Sequence, residues 1–183
     1  MKYDVLESSF FEKEALVLAK SLLGKKIQCG PVMIRILETE AYMPNDSACH
    51  AYRGQTERNK PMFGPPGRLY VYLCYGIHQL LNVVSGTEGS PQAVLIRAAE
   101  VCKGHALAKE RRGGRLELIG PGKLTQALGV DTSFSGERIG KRVHFYDSPP
   151  VESFTTKPRV GIDYAKPKDR DALWRFITPS VNK

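Results

Sequence analysis

The sequence has few of the residues from which structural metal sites and disulfide frameworks are built. Its four histidines show no metal-ligand spacing, and its four cysteines form no Cys-x-x-Cys pair: Cys29, Cys49, Cys74 and Cys102. These spacings argue against a zinc site, so we expect no metal and no other cofactor. Free thiols in a reducing compartment are favoured over disulfides.

Long apolar runs are also missing. No stretch reaches the length of a transmembrane helix, and the segment Met1–Val5 lacks the apolar region of a signal peptide. We find no internal repeat, low-complexity tract or linker, and 183 residues suit one domain with a sizeable core. We therefore expect a single domain over 1–183, monomeric, without membrane contact and cytoplasmic, or associated with the nucleoid if the protein is bacterial.

Positive charge is in excess. Lys and Arg number 27 against 19 acidic residues, which gives a formal net charge of +8. Clustered Lys and Arg attract phosphates and release counterions on binding, so this excess favours a polyanionic partner. A generic basic surface explains the charge equally well, and composition alone leaves both interpretations open.

Periodicity predicts a mixed α+β fold. The segment Phe10–Leu23 has apolar residues on one face at helical spacing, and Gly24 follows it as a stop signal. The segment Lys26–Glu40 is typical of two strands joined around Gly30-Pro31. In the second of these strands, strict alternation predicts one shared face, formed by Ile34, Ile36, Glu38 and Glu40.

Further strands and one short helix are predicted downstream. A turn at Tyr75-Gly76 separates two strand candidates, and Gly129 ends a short helix that begins near Gly120. The region from Lys166 to Arg170 has the composition of a charged loop. The strand candidates are Leu69–Tyr75, Ile77–Val84, Gln92–Ala99, Arg142–Tyr146, Pro158–Ile162 and Leu173–Ile177.

The stretch from Glu38 to Asn82 is unusually rich in groups that can perform chemistry. It contains five tyrosines, namely Tyr42, Tyr52, Tyr70, Tyr72 and Tyr75. A glutamate beside aromatic residues can act as a general base for water, or it can form an ordinary ion pair with an arginine. Tyrosines that alternate on a strand can stack on a planar heterocycle or lie half-buried in a sheet. Together with the basic charge, the combination suggests a pocket for a nucleobase.

A series of motifs runs in order over nearly the whole chain: Glu38-Thr39-Glu40-Ala41-Tyr42, His50-Ala51-Tyr52-Arg53-Gly54, Thr56-Glu57-Arg58-Asn59, Leu69-Tyr70-Val71-Tyr72, Tyr75-Gly76, Leu81-Asn82-Val83, Val94-Leu95-Ile96-Arg97-Ala98 and Gly120-Pro121-Gly122-Lys123-Leu124. In this order the motifs resemble those of the 3-methyladenine DNA glycosylase family of the alkyladenine type.

The resemblance implies a fold, an activity and a set of roles. The fold would be a mixed α/β (α+β) domain around a curved, mainly antiparallel sheet with flanking helices. The activity would be base excision repair: damaged purines such as 3-methyladenine or hypoxanthine are rotated out of double-stranded DNA and their N-glycosidic bond is hydrolysed. By position, Glu40 corresponds to the catalytic base and Arg97 to a catalytic residue beside the attacking water. The base-binding pocket corresponds to Tyr42, His50, Tyr72 and Asn82, and the intercalating side chain to Tyr75.

Two other classes of function remain open at this point. A non-catalytic nucleic-acid-binding module would use the same basic and aromatic surface, but a carboxylate that faces phosphates is unfavourable there. A nucleoside hydrolase would use the same pocket, but it needs neither an intercalating Tyr75 nor a net charge of +8. No lysine accompanies the Glu40 motif, so we expect no Schiff-base lyase step.

Overall fold

The structure, a computed structural model, describes residues 3–180. The first two residues of the Met1–Val5 segment, and residues 181–183 of the predicted 1–183 domain, lie outside the described residues. The strands are β1 Lys26–Cys29, β2 Val32–Tyr42, β3 Leu69–Cys74, β4 His78–Val84, β5 Ala93–Lys103, β6 Leu118–Ile119, β7 Val143–Tyr146, β8 Thr155–Lys157 and β9 Arg175–Ile177. The α-helices are α1 Ala15–Leu22, α2 His105–Arg111, α3 Pro121–Leu128 and α4 Pro167–Arg170, with 3₁₀ turns at Ser8–Glu12, Lys60–Phe63 and Thr132–Phe134.

All strand pairs of the sheet are antiparallel. Its main path runs β3-β4-β5-β2-β1-β7, while β6 pairs with β5, and β9 pairs with both β2 and β8. The two longest strands, β2 and β5, lie side by side at its centre. The predicted architecture, a curved antiparallel sheet with a few flanking helices, is confirmed.

One face of this sheet packs against helices α1 and α3. Leu18 and Leu22 of α1 and Leu124 and Leu128 of α3 are fully or almost fully buried in the main hydrophobic cluster. Burial of apolar area of this kind is the main stabilising contribution to a fold of this size. The opposite face, where β2, β3, β4 and β5 meet, lines an open cavity, and we call it the uncovered face.

The central strand pair contains an irregularity that decides where the two glutamates point. The β2–β5 register is disturbed between Ile36 and Thr39, where Leu37 on β2 and Arg97 on β5 have no paired partner across the ladder. Ile34 and Ile36 lie in the core before it, and beyond it Thr39 donates its hydroxyl to the carbonyl of Ala19 in α1. An extra residue of this kind exchanges the two faces of a strand.

The prediction that Ile34, Ile36, Glu38 and Glu40 share one face is therefore wrong. The two glutamates do share a face, because both contact Arg97, but this face is opposite to that of the isoleucines. Strict alternation would have placed both carboxylates in the apolar core. The paired irregularity instead directs them toward the uncovered face of the sheet.

Several element predictions also need correction. The Phe10–Leu23 helix is a 3₁₀ turn followed by the shorter α1, interrupted at Lys13 and Glu14. The Pro158–Ile162 segment is not a strand, since the nearby strand is β8, and the expected loop at Lys166–Arg170 contains the single helical turn α4. No helix within residues 3–180 is long and apolar enough to cross a membrane.

Candidate active site

The uncovered face of the sheet forms the floor of a cavity of about 930 Å³. Strands β2 to β5 supply its floor, and the loop after β2, the segment before α4 and the start of α3 supply its walls. Such volumes are typical of small-molecule and cofactor sites. Five of the predicted catalytic and pocket residues line it, namely Tyr42, His50, Tyr72, Asn82 and Arg97. The predicted intercalating residue, Tyr75, lines it as well.

Glu40, the predicted catalytic base, lies directly behind the residues that line the cavity. Its side chain is 0% exposed, and its neighbours Tyr42, Arg97 and Val160 line the cavity. Oε1 accepts a hydrogen bond from the backbone N–H of Val160 (3.0 Å), and Oε2 accepts one from the Tyr42 hydroxyl (2.9 Å). Burial raises the pKa of this carboxyl above its usual value, while Arg97 and the two hydrogen bonds oppose the rise. Such a carboxylate is a stronger proton acceptor than an exposed one.

Glu38 has different surroundings from Glu40. Its Oε1 lies 3.3 Å from Nε of Arg97 and 3.1 Å from NH1 of Arg175 on β9. The Arg97 side chain thus lies between two carboxylates, and Glu38 has a second guanidinium of its own. Two arginine partners make Glu38 a structural acid.

Aromatic rings form one wall of the cavity. The rings of His50 and Tyr72 have centroids 4.5 Å apart at 65°, and Tyr70 and Tyr72 follow at 5.4 Å and 32°. Nδ1 of His50 is hydrogen-bonded to the Tyr70 hydroxyl at 2.9 Å. Burial lowers the pKa of His50, and the positive charge of Arg58 lowers it further, so the ring is neutral at neutral pH. Burial raises the pKa of Tyr70 to about 12.

Asn82 lies on the cavity floor, 4% exposed, opposite Tyr70 in the β3–β4 ladder. Its Nδ2 donates hydrogen bonds to the carbonyls of Tyr70 (3.1 Å) and Leu80 (3.4 Å). The two hydrogen bonds fix the amide in place. Across the described part of the chain no donor reaches its Oδ1.

Tyr75 occupies the tight turn that joins β3 to β4. It is 88% exposed, and with a φ of +50° it is the one residue other than glycine at positive φ within 3–180. Gly76 follows at φ +73°, and the N–H of Ile77 closes the turn on the carbonyl of Cys74 at 3.1 Å. A left-handed backbone is costly for a tyrosine, and such strain is typical of functional positions.

Sequence reasoning missed one part of the site. The segment between β8 and β9 brings Val160 to Glu40, and the preceding Arg159 forms a buried ion pair with Asp46. No spacing or periodicity links these positions, because the ion pair joins residues 113 apart in sequence. Alternation predicts the segment Pro158–Ile162 only as a strand, without chemistry.

Nothing in the described chain forms a cluster of three or more metal-ligating side chains. The four cysteines are free thiols. Those that border the site differ in exposure: Cys49 is buried, and burial raises its pKa to about 11, whereas Cys74 lines the cavity.

Comparison with known proteins identifies the family. The family model for methylpurine-DNA glycosylase (MPG) matches residues 9–181. A protein of Nitrosococcus oceani named "Putative 3-methyladenine DNA glycosylase" is 46% identical over 96% of this chain and 90% of its own length. The "DNA-3-methyladenine glycosylase" of Arabidopsis thaliana is 46% identical over 94% of this chain and 70% of its own length. The chain therefore belongs to the methylpurine-DNA glycosylase family of DNA repair enzymes, which hydrolyse N-glycosyl bonds.

Proposed function

We propose that the protein is a monofunctional glycosylase that removes alkylated or deaminated purines, such as 3-methyladenine and hypoxanthine, from double-stranded DNA. Family membership supports DNA as the substrate and disfavours the two alternatives, a binding module without catalysis and a nucleoside hydrolase. The names of the relatives support 3-methyladenine as one of the bases removed.

The observation that carries the proposal is the buried carboxylate of Glu40 behind the aromatic cavity. Glu40 removes a proton from a water molecule that attacks the sugar C1′, while the N-glycosidic bond breaks and its electron pair leaves with the purine. A cationic N-alkylpurine departs as a neutral base without further protonation, whereas hypoxanthine departs as an anion that takes its proton from solvent water. Positioned proton transfer of this kind contributes roughly 10²–10⁴-fold to the rate.

The cavity wall fits a purine that has been rotated out of the duplex. Tyr42, Tyr72 and His50 line the cavity with aromatic rings, and stacking on such rings contributes roughly 1–3 kcal/mol per base. A cationic base gains additional attraction from the tyrosine rings. A neutral His50, as its lowered pKa requires, avoids repelling that cation. Tyr75 fills the gap that the rotated nucleotide leaves in the duplex.

The proposal is tested by the release of free base. Duplex DNA treated with a methylating agent, and duplex DNA with a single hypoxanthine, should release 3-methyladenine and hypoxanthine, detected by mass spectrometry. Undamaged duplex and free methylated nucleosides are the controls, and neither should react. Excess EDTA should leave the rate unchanged, and borohydride should trap no covalent adduct. Absence of release from both damaged duplexes would refute the proposal, and a trapped adduct would refute hydrolysis by water.

A further inference from the structure

Beside the active site lies an arginine with no exposed side-chain surface. The side chains of Arg159 and Asp46 are both 0% exposed, and they are joined by two hydrogen bonds, one of them NH2 to Oδ1 at 3.0 Å. NH2 also donates to the carbonyl of Asp169 at 3.0 Å. The pair connects the loop after β2 with the segment between β8 and β9, and the contact with Asp169 adds the turn α4 within that segment.

The same guanidinium reaches the strand that carries Glu40. NH1 donates to the carbonyl of Ala41 at 2.9 Å, the residue between Glu40 and Tyr42. Cζ lies 4.7 Å from the centroid of the Tyr42 ring and 4.9 Å from that of Trp174. The position of Tyr42, the first of the two hydrogen-bond donors to Glu40, is thus fixed by contact with Arg159.

The second donor to Glu40 is the backbone N–H of Val160, the residue that follows Arg159. The segment is held from the other side by Arg175, whose Nε donates to the carbonyl of Pro158 at 2.8 Å. Both hydrogen bonds that orient the carboxylate of Glu40 therefore depend on atoms that Arg159 holds.

Stability alone does not account for this arrangement. A buried ion pair loses hydration on both sides, and well-packed apolar residues of similar volume often serve as well. Nε of Arg159 is buried without an acceptor within residues 3–180, which adds a further cost. Costs of this kind are tolerated where they fix the geometry of a site.

We propose that Arg159, oriented by Asp46, is a positioning residue that directs the Val160 N–H and the Tyr42 hydroxyl onto the two oxygens of Glu40. The inference rests on the proposed role of Glu40 as the base. Arg159 does not line the cavity, and it acts through the two donors.

The charged and titratable groups that face Glu40 come from several elements. Glu38 and Tyr42 lie on its own strand, Arg97 on β5, and Arg159 in the segment after β8, while Arg175 on β9 is paired with Glu38. Hydrogen bonds to the carboxylate stabilise its charged form and lower the pKa of Glu40. When these hydrogen bonds are misdirected, that pKa rises, and the acidic limb of the rate profile moves to higher pH.

Two variants separate geometry from charge. Arg159→Lys keeps the positive charge but loses the paired hydrogen bonds and the planar contact with the rings. Asp46→Asn keeps shape and removes a negative charge, which by electrostatics alone would lower the pKa of Glu40. An upward shift in Asp46→Asn can therefore come only from lost geometry. Arg35→Lys is the matched control, because Arg35 on β2 is paired with Glu100 at 3.1 Å outside the cavity.

The measurement is the single-turnover rate of hypoxanthine excision as a function of pH, with circular dichroism and thermal melting for each variant. We expect the acidic limb to move up by about half a pH unit or more in both variants, a change of the size that one weakened interaction produces. The acidic limb of the control variant Arg35→Lys should not move. If Arg159→Lys fails to fold, Asp46→Asn alone tests the inference: an acidic limb that moves up supports it, and one that stays or moves down overturns it.

Lower rates with an unmoved or downward-moved limb would overturn the inference, since a purely structural role reduces the active fraction without changing the profile. A parallel measurement of Glu40→Gln keeps the two claims apart. Normal excision by Glu40→Gln would refute the proposed role of Glu40 as the base, on which the inference rests. Lost excision in that variant, together with unmoved limbs in the other two, would refute only the role of Arg159.

Discussion

Arg97 holds its guanidinium beside the buried carboxylate of Glu40, with Nε 3.5 Å from Oε1. The contact is electrostatic and longer than a good hydrogen bond, so Arg97 lowers the pKa of Glu40 chiefly through its charge. It opposes the larger effect of burial, and it keeps Glu40 ionised over a wider pH range.

Removal of this charge should weaken catalysis most at low pH. We expect Arg97→Met to move the acidic limb of the excision profile upward, because the pKa of Glu40 rises when the neighbouring positive charge is lost. A limb that moves up by one pH unit lowers the rate about tenfold at every pH on its acid side. The single-turnover rate between acidic and mildly alkaline pH is the measurement, with Arg35→Met as the control. An unchanged limb in Arg97→Met would show that Arg97 has no influence on the base.

Glu40 should lower the stability of the protein at neutral pH. Because burial raises its pKa above 4.5 in the folded chain, the stability that this group contributes is present at low pH and is lost as the pH rises through the folded pKa. Glu40→Gln removes the charge, so its melting temperature should exceed that of the unmodified protein at neutral pH. The difference should shrink as the pH approaches 4.5.

Glu38→Gln is the matched control for this measurement. It removes the acid that joins Arg97 to Arg175, so its melting temperature should fall at neutral pH. A lower melting temperature for Glu40→Gln as well would contradict the interpretation of Glu40 as a costly buried charge.

Tyr75→Ala should reduce the population of rotated nucleotides. The exposed ring on the β3–β4 turn would otherwise fill the gap that the rotated nucleotide leaves in the duplex. We expect the largest loss for well-paired lesions such as hypoxanthine, seen as fluorescence of a reporter base beside the lesion. Tyr75→Phe keeps the ring and should behave like the unmodified protein. Unchanged flipping in Tyr75→Ala would remove the intercalating role.

Asn82→Ser should relax the selection against guanine. Guanine differs from adenine and hypoxanthine by its 2-amino group, and an amide fixed by two hydrogen bonds cannot move aside to admit it. We expect faster excision of guanine-type bases, while hypoxanthine removal stays within a modest factor and serves as the internal control. An equal loss on both bases would show that Asn82 only supports the fold.

Local signals were sufficient for much of the framework. The glycine turns at Gly30 and Gly76, the Gly129 helix end and the alternation in β3 and β4 were predictable because each depends on neighbouring residues. The positions of Tyr72 and Asn82 on one cavity follow from that alternation.

The missing parts depend on distant contacts. The face exchange near Leu37 involves no Gly or Pro that would signal it, and it arises from matched irregularities in β2 and β5. The Val160 N–H reaches Glu40 only because Arg159 finds Asp46 across the fold. Side-chain pattern cannot reveal a backbone donor, so the hydrogen bond from the Val160 N–H to the Glu40 carboxylate was beyond sequence reasoning.

The central claim is that Glu40 is the base for the attacking water, and a comparison of Glu40→Gln with Glu38→Gln tests it most directly. Single-turnover excision of hypoxanthine from duplex DNA should be measured at saturating enzyme, together with binding of the same duplex. The account predicts that Glu40→Gln loses at least about 10²-fold in rate while it still binds the lesion, and that Glu38→Gln loses far less. Substantial excision by Glu40→Gln, or an equal loss in both variants, would contradict it.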